Sequence, residues 1–313
     1  MTSPSAQSPR VWAALVTVYV LWGSTYLGIL FAIRTFPPFL MLAARFGIAG
    51  ALLFAWSIRR GDRAGDRPGW RQWRAAAVVG GALLLAGNGS VAWSEQRLTS
   101  GVASLIVATV PLWIAIFDRV ATGARLTRTA VLGLAIGLVG ASVLADPFGA
   151  GHVDALGALV LLLGSMSWAA GSLYARRAAL PSRPLVGASM EMLVAGAGFA
   201  LVGVAAGEPS AAHHISGGSL AALAYLIVFG SLVGFTAYVW LLRQAPTSLV
   251  STYAYVNPAV AVFLGWAVVN EPIGPRVIVA GAMILVAVAL IIGARPRLPR
   301  RRLRPVLAGI RAR

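Results

Sequence analysis

The sequence predicts an all-α polytopic membrane protein of ten transmembrane helices, arranged as two inverted five-helix repeats. Three observations predict it. Apolar runs long enough to span a bilayer follow one another along nearly the whole chain. The arginines cluster on alternate connections between those runs. A proline-interrupted apolar pattern at 99–126 recurs at 247–272. Composition agrees: 58% of the 313 residues are hydrophobic, 11% are charged and mean hydropathy is +0.81, where soluble domains carry about 25% charged residues.

The spans fall near 11–33, 38–58, 75–95, 99–120, 128–145, 154–175, 185–206, 219–241, 248–268 and 275–293, and are numbered 1 to 10 here. The first is followed by no small-residue cleavage site and reads as a retained span rather than a removable signal. The net charge of +17 comes entirely from arginine, since lysine is absent. In a soluble protein that balance suggests nucleic acid. Here the arginines flank apolar spans, which points to orientation in a membrane and to no nucleic-acid partner. All but Arg34, Arg45, Arg97 and Arg276 lie at the termini or on one set of connections. By the positive-inside rule that set is cytoplasmic, and so are both termini. The arginine-rich tail, 294–313, is expected to lie free or on anionic lipid. Cysteine is absent, which removes disulfides, thiolate metal sites and a Cys nucleophile.

Spans 1–5 (11–145) and 6–10 (154–293) form the two copies. Five crossings reverse the direction of the chain, so the second copy is inverted relative to the first. Ser104, Ala108, Pro111 and Ala115 align with Ser251, Tyr255, Pro258 and Val262, and in each copy these positions share one helix face. Trp22 through Tyr26 resembles Trp168 through Tyr174, and Ala49-Gly50-Ala51 aligns with Ala195-Gly196-Ala197. A proline inside a helix leaves the carbonyl four residues back without its donor: Val107 for Pro111, Ala254 for Pro258. In hydrocarbon such a carbonyl needs another partner or must line a cavity. Paired interruptions of this kind point to the binding site of a transporter.

Candidate solute-binding residues are therefore Pro111, Ser251, Tyr255 and Pro258, joined by Trp22, Tyr26, Asn88, Tyr174 and Tyr238. On span 9 the Ser251–Tyr255–Pro258 face is favoured for the cavity, because it repeats in span 4. Tyr253 and Asn257 point nearly the opposite way. Ionisable residues inside spans are costly. The alignment places Arg45 on Glu191 and Glu95 on Arg243, which predicts two pairs of reversed polarity, Arg45 with Glu95 and Glu191 with Arg243, as helix clamps or as a gate or proton-coupling carboxylate. Gly133 and Gly137 in span 5, and Gly230 and Gly234 in span 8, allow close helix approach, within a monomer or in a homodimer. No enzyme motif is present, no metal or cofactor site is expected, and a P-loop is impossible without lysine. The competing readings are a non-transporting receptor or scaffold and an integral-membrane enzyme.

The five-plus-five repeat, LWGSTYLGI in span 1, Pro111-Leu112-Trp113 in span 4, GNGSVAWSEQ at 87–96, GSMSWAAGSLY at 164–174, and STYAYVNPAVAV with Asn270-Glu271-Pro272 in span 9 resemble the EamA family of drug/metabolite transporters. The resemblance covers 11–293. It implies a ten-helix basket in the bacterial inner membrane, a central cavity, and export of small metabolites, amino acids or drug-like compounds. It carries no universal catalytic motif. One departure stands out: the family's Gly-Glu-Arg-Leu turn after span 4 reads Gly123-Ala124-Arg125-Leu126 here, so only the second copy keeps an acid, Glu271. Few fixed charges and many aromatics suit a neutral, zwitterionic or amphiphilic solute. Energy coupling is open between proton antiport, exchange and facilitated diffusion.

Overall fold

The computed structural model describes residues 9–59, 68–123, 127–145, 154–212, 214–245, 247–250 and 252–293. Among these residues the ordered structure is helical, without strands. The helices are α1 (Pro9–Ala32), α2 (Pro38–Arg59), α3 (Trp70–Ser94), α4 (Ser100–Val107 and Val110–Thr122), α5 (Arg128–Ala145), α6 (Ala155–Ala175), α7 (Pro184–Ala205), α8 (Gly217–Tyr225 continuing to Gln244), α9 (Thr247–Val250 and Tyr253–Val269) and α10 (Pro275–Gly293). A single turn, Glu208–Ala211, follows α7. Each predicted span has its helix.

Seven of these, α1–α4 and α6–α8, are long and apolar enough to cross a membrane. The apolar stretches of α5, α9 and α10 are shorter: Arg128–Val143, Val256–Val269 and Pro275–Ile291. The outer faces are those of a protein solvated by lipid. Trp12, Val16 and Val20 form an exposed stripe at four-residue spacing on α1, and Ile48, Leu52 and Trp56 do the same on α2. A water-soluble protein would not leave such stripes bare.

Local chemistry sets where the helices begin and end. Thr99 Oγ1 accepts from Val102 N at the start of α4, Asp154 Oδ1 from Gly157 N at α6, and Ser216 Oγ from Ser219 N at α8. Pro184 opens α7, where its missing N–H costs nothing. Gly123 (φ 67°) ends α4 and Asn270 (φ 54°) ends α9, both left-handed, at positions that the Pro111–Pro258 alignment pairs. Mid-way along α3 and α8, eight-residue π-helical segments occur at Gly81–Asn88 and Leu226–Val233. Such segments release carbonyls from the regular ladder and collect at functional sites.

Packing is close where small residues meet. A Cβ added to Gly50 would lie 2.9 Å from Leu193 N, and one added to Gly196 would lie 2.7 Å from Gly47 N, so α2 and α7 cross backbone to backbone. Gly133 and Gly140 press on Ala287 and Met283 of α10. The small-residue face of α5 is thus covered within the chain. Gly230 and Gly234 take Thr25 and Trp22 of α1. The main core cluster contains Phe46, Leu84, Leu112, Leu161, Met192, Phe199 and Ile284, all buried.

Candidate functional site

Trp22, mid-way along α1, anchors an aromatic cluster. Its ring meets Tyr238 at 5.0 Å, Tyr253 at 5.3 Å (89° between planes) and Phe235 at 5.5 Å. Tyr238 and Tyr253 meet edge to face at 5.7 Å and their hydroxyls hydrogen-bond. Trp22 Nε1 donates to Gly230 O (3.2 Å), a carbonyl of the π-helical segment of α8. Gly234 leaves the space the indole occupies. A related arrangement occurs with the two copies exchanged: Trp168 of α6 lies over Gly87, in the π-helical segment of α3, and Ser167 Oγ donates to Ala82 O (3.1 Å).

Tyr253 enters the Trp22 cluster, and buried Asn257 faces α1. In the amide orientation that its surroundings require, Asn257 Nδ2 donates to Tyr253 O (3.2 Å) and Tyr19 O (3.3 Å). The Tyr19 hydroxyl hydrogen-bonds Thr252, whose Oγ1 also donates to Leu249 O (2.6 Å). Tyr253, Tyr19, Thr252 and Asn257 thus join the candidate site, which sequence reasoning placed on the other face of α9. Their signal was present as two competing polar faces on α9. Ser251, and the side chain of Tyr255, lie outside the described residues.

The prolines behave unequally. α4 is interrupted at Ala108-Thr109, ahead of Pro111, which sits in the first turn of the second segment. Thr109 Oγ1 donates to Ile106 O (2.6 Å) and accepts from Trp113 Nε1 (3.2 Å), so side chains take over at the break. Pro258 is buried inside the continuous helix Tyr253–Val269. Pro258 is therefore not the break point of α9. Tyr26 is half-buried against the main core, Asn88 closes the π-helical segment of α3, and Tyr174 is 46% exposed at the end of α6, apart from the cluster.

The predicted direct contact between Arg45 and Glu95 is absent. Arg45 is buried, its Nε donates to Ser231 Oγ of α8 (3.1 Å), and its guanidinium lies 4.9 Å from the Phe46 ring centroid. Arg45 Nη1 and both carboxylate oxygens of buried Glu95 have no hydrogen-bond partner. The two residues remain within electrostatic reach of each other, and Glu95 also of Tyr26 and Glu271. The physical reason is the π-helical segment of α8, which brings Ser231 to Arg45 and captures its Nε first. Of the second pair, the Arg243 side chain lies outside the described residues. Glu191 is half-buried, its backbone against Gly80 of α3.

Two further carboxylates cap helices across the fold. Glu271 Oε1 accepts from Ser100 N and Ser100 Oγ, both at 2.8 Å, and Oε2 from Gly101 N at 3.1 Å. Glu208 accepts from Phe39 N (3.1 Å) and Leu40 N (2.8 Å) at the start of α2. At the same end, Thr35 bonds Ser216 and Ser219. A cleft of about 460 Å³ opens beside them between α1 and α8, lined by Phe31, Arg34, Ser216, Ser219 and Tyr225. Among the described residues no cluster of His, Asp and Glu could hold a metal ion.

The model of the EamA-like transporter family matches residues 11–145 and again 155–293. The uncharacterized inner membrane transporter YedA of Escherichia coli K12 is 39% identical over 282 residues, 90% of either chain. A probable terminal-alkyne amino-acid exporter of Streptantibioticus cattleyicolor is 26% identical over 291 residues, covering 91% of this chain and 93% of that protein. One crystal structure superposes with a TM-score of 0.64 at 24% identity, over 92% of this chain and 99% of the other, a likeness of fold.

Proposed function

This chain belongs to the EamA-like transporter family and is a multi-pass membrane transporter; from that premise we propose that it exports a small neutral or zwitterionic solute across the inner membrane by alternating access. The transport site is the Trp22–Tyr238–Tyr253 cluster between α1, α8 and α9, with Tyr26, Asn257 and the Gly230 carbonyl at its edges. The carrying observation is the pairing of two halves around this site. Trp22 of the first copy over Gly234 of the second corresponds to Trp168 of the second copy over Gly87 of the first, each beside a π-helical segment. Two inverted five-helix repeats, with α5, α9 and α10 completing ten crossings, account for that correspondence. Alternating access needs such symmetry, because the closed end and the open end exchange roles.

Burial along α4 supports a state for this structure. Ser100 through Ile106 are all buried, whereas from Val110 to Asp118 every residue except Leu112 is half-exposed. The Ser100 end is sealed on every face and the Asp118 end is not. With both termini cytoplasmic, as the arginines indicate, the sealed end is periplasmic and the site is reached from the cytoplasm. Rocking of one repeat against the other then releases solute outward. The exporter among the relatives supports this direction.

Two measurements test the proposal. For orientation, the absence of cysteine allows clean single replacements at Ser210 and Ala179, both exposed. A membrane-impermeant maleimide added to intact cells labels position 210 and spares 179. The opposite pattern reverses the topology. For function, metabolite profiles of cells with and without the gene identify candidate solutes, with a terminal-alkyne amino acid as a first compound to assay. Trp22→Ala and Tyr253→Ala each lower efflux from preloaded proteoliposomes at least about tenfold, the equivalent of roughly 1.4 kcal/mol of lost binding. Undiminished efflux in both, at matched protein level, removes the site from this cluster.

A further inference from the structure

The carboxyl of Glu95 has no part in that transport cycle. It stands at the end of α3, 3% exposed, while its chain neighbours Gln96 and Arg97 are exposed. Neither of its oxygens receives a hydrogen bond. An ionised carboxylate in such a place has lost its water and gained no donor, a cost no folded structure carries without compensation. The charged and titratable groups around it do not supply one. From α2, Arg45 is within electrostatic reach but holds Ser231 with its Nε. From α1, Tyr26 is near without bonding it. Beyond α9, Glu271 has the same sign and is spent on Ser100 and Gly101. Arg97, two residues on, stacks 3.9 Å over Trp93. From α6, Asp154 accepts from Gly157 N.

We propose that Glu95 carries the coupling proton of this transporter, sealed in as the neutral acid in the conformation seen here, with Arg45 as the counter-ion it meets when the proton leaves. This rests on the transporter reading. When the Ser100 end is open, water reaches the carboxyl through the short distance to exposed Gln96 and Arg97, and the carboxyl takes a proton from that side. Closure buries the neutral acid without penalty. On the other side of the cycle the proton passes to water in the opposite cavity. The carboxylate left behind pairs with Arg45 Nη1, a buried donor without a hydrogen-bond partner. One proton enters and one leaves, and the charge created on Glu95 is balanced by Arg45.

The sign follows from linkage. Sealing the Ser100 end requires the neutral acid, whereas the open end accommodates the carboxyl with or without its proton, so low pH favours closure of the Ser100 end and rising pH favours opening. One coupled proton changes the open-to-closed ratio by up to about tenfold per pH unit. The test needs no solute. Ser104→Cys places a thiol where the side chain is 0% exposed, and Ser210→Cys provides an exposed reference. Dividing the maleimide labelling rate of purified Ser104→Cys by that of Ser210→Cys removes the thiol's own pH dependence. We expect that quotient to rise at least several-fold between about pH 6 and about pH 8.5, and to stay low and flat when Glu95→Gln is added. A quotient independent of pH in otherwise unaltered protein overturns the proposal, as does a pH dependence that survives Glu95→Gln. If Glu95→Gln does not fold, infrared spectra decide. The carboxylic C=O stretch of the buried acid must shift in Glu95→Asp, and an unshifted band overturns the assignment. Either failure leaves the efflux reading intact, since that is measured on solute.

Discussion

Gly196→Leu is expected to leave no monodisperse protein, and Gly196→Ala to melt well below the unaltered chain. At the crossing of α2 and α7 a Cβ on residue 196 meets Gly47 N at 2.7 Å and Gly47 Cα at 2.9 Å. Those are backbone atoms, which cannot rotate aside as a side chain can. One methyl forced into a filled contact costs about 1–3 kcal/mol, and a leucine must drive the helices apart. In lipid no hydrophobic force holds separated helices together, since the acyl chains are as apolar as the side chains. The loss of contact is therefore not recovered elsewhere. Gly47→Ala is the control, because a Cβ there meets nothing within 4 Å. It should match or slightly exceed the unaltered protein, alanine being the better helix former by about 0.8–1 kcal/mol. Size-exclusion profiles and thermal melting in detergent read both. Equal losses at 47 and 196 contradict the close crossing.

The second large effect is at Glu271. Its carboxylate receives three hydrogen bonds from the first turn of α4, two at 2.8 Å and one at 3.1 Å. Each is charge-assisted, and the helix N-terminus adds its own positive potential. Hydrogen bonds to charged groups contribute about 1.5–3 kcal/mol each when single, although three made by one group are not additive. Glu271→Ala is expected to lower stability by about 3 kcal/mol and to raise maleimide labelling at Ser104→Cys, because the bond joins the end of α9 to the start of α4 at the sealed end. Glu271→Gln keeps one acceptor and falls between. Unchanged labelling in Glu271→Ala means that this cap stabilises a helix without holding the end shut. The departure at Ala124 gains meaning from this geometry. Glu271 follows left-handed Asn270 as Ala124 follows left-handed Gly123, and alanine has no acceptor to offer.

Much of the architecture was legible from hydropathy and arginine placement. Each of the ten predicted spans has a helix, and the alignment of Gly50 with Gly196 marked the residues at which α2 and α7 touch. Transfer from water to hydrocarbon is a property of one residue at a time, summed over a window, so it can be read along a chain. The internal repeat adds a second reading of the same fold, which is why Trp22 and Trp168 could be paired before either was placed. The polar pairings could not be found in this way. Tyr253 and Tyr255 lie on opposite faces of one helix with similar polarity, and periodicity has no term to choose between them. Only the neighbours did, when Trp22 and Tyr238 accepted Tyr253. Arg45 and Glu95 have opposite charge and suitable depth, yet Arg45 bonds Ser231 because the π-helical segment of α8 puts a hydroxyl 3.1 Å from its Nε. The sequence by itself determined which segments leave water and which residues repeat. The tertiary structure decided which polar atoms meet, because a hydrogen bond depends on a few tenths of an ångström between helices far apart in the chain.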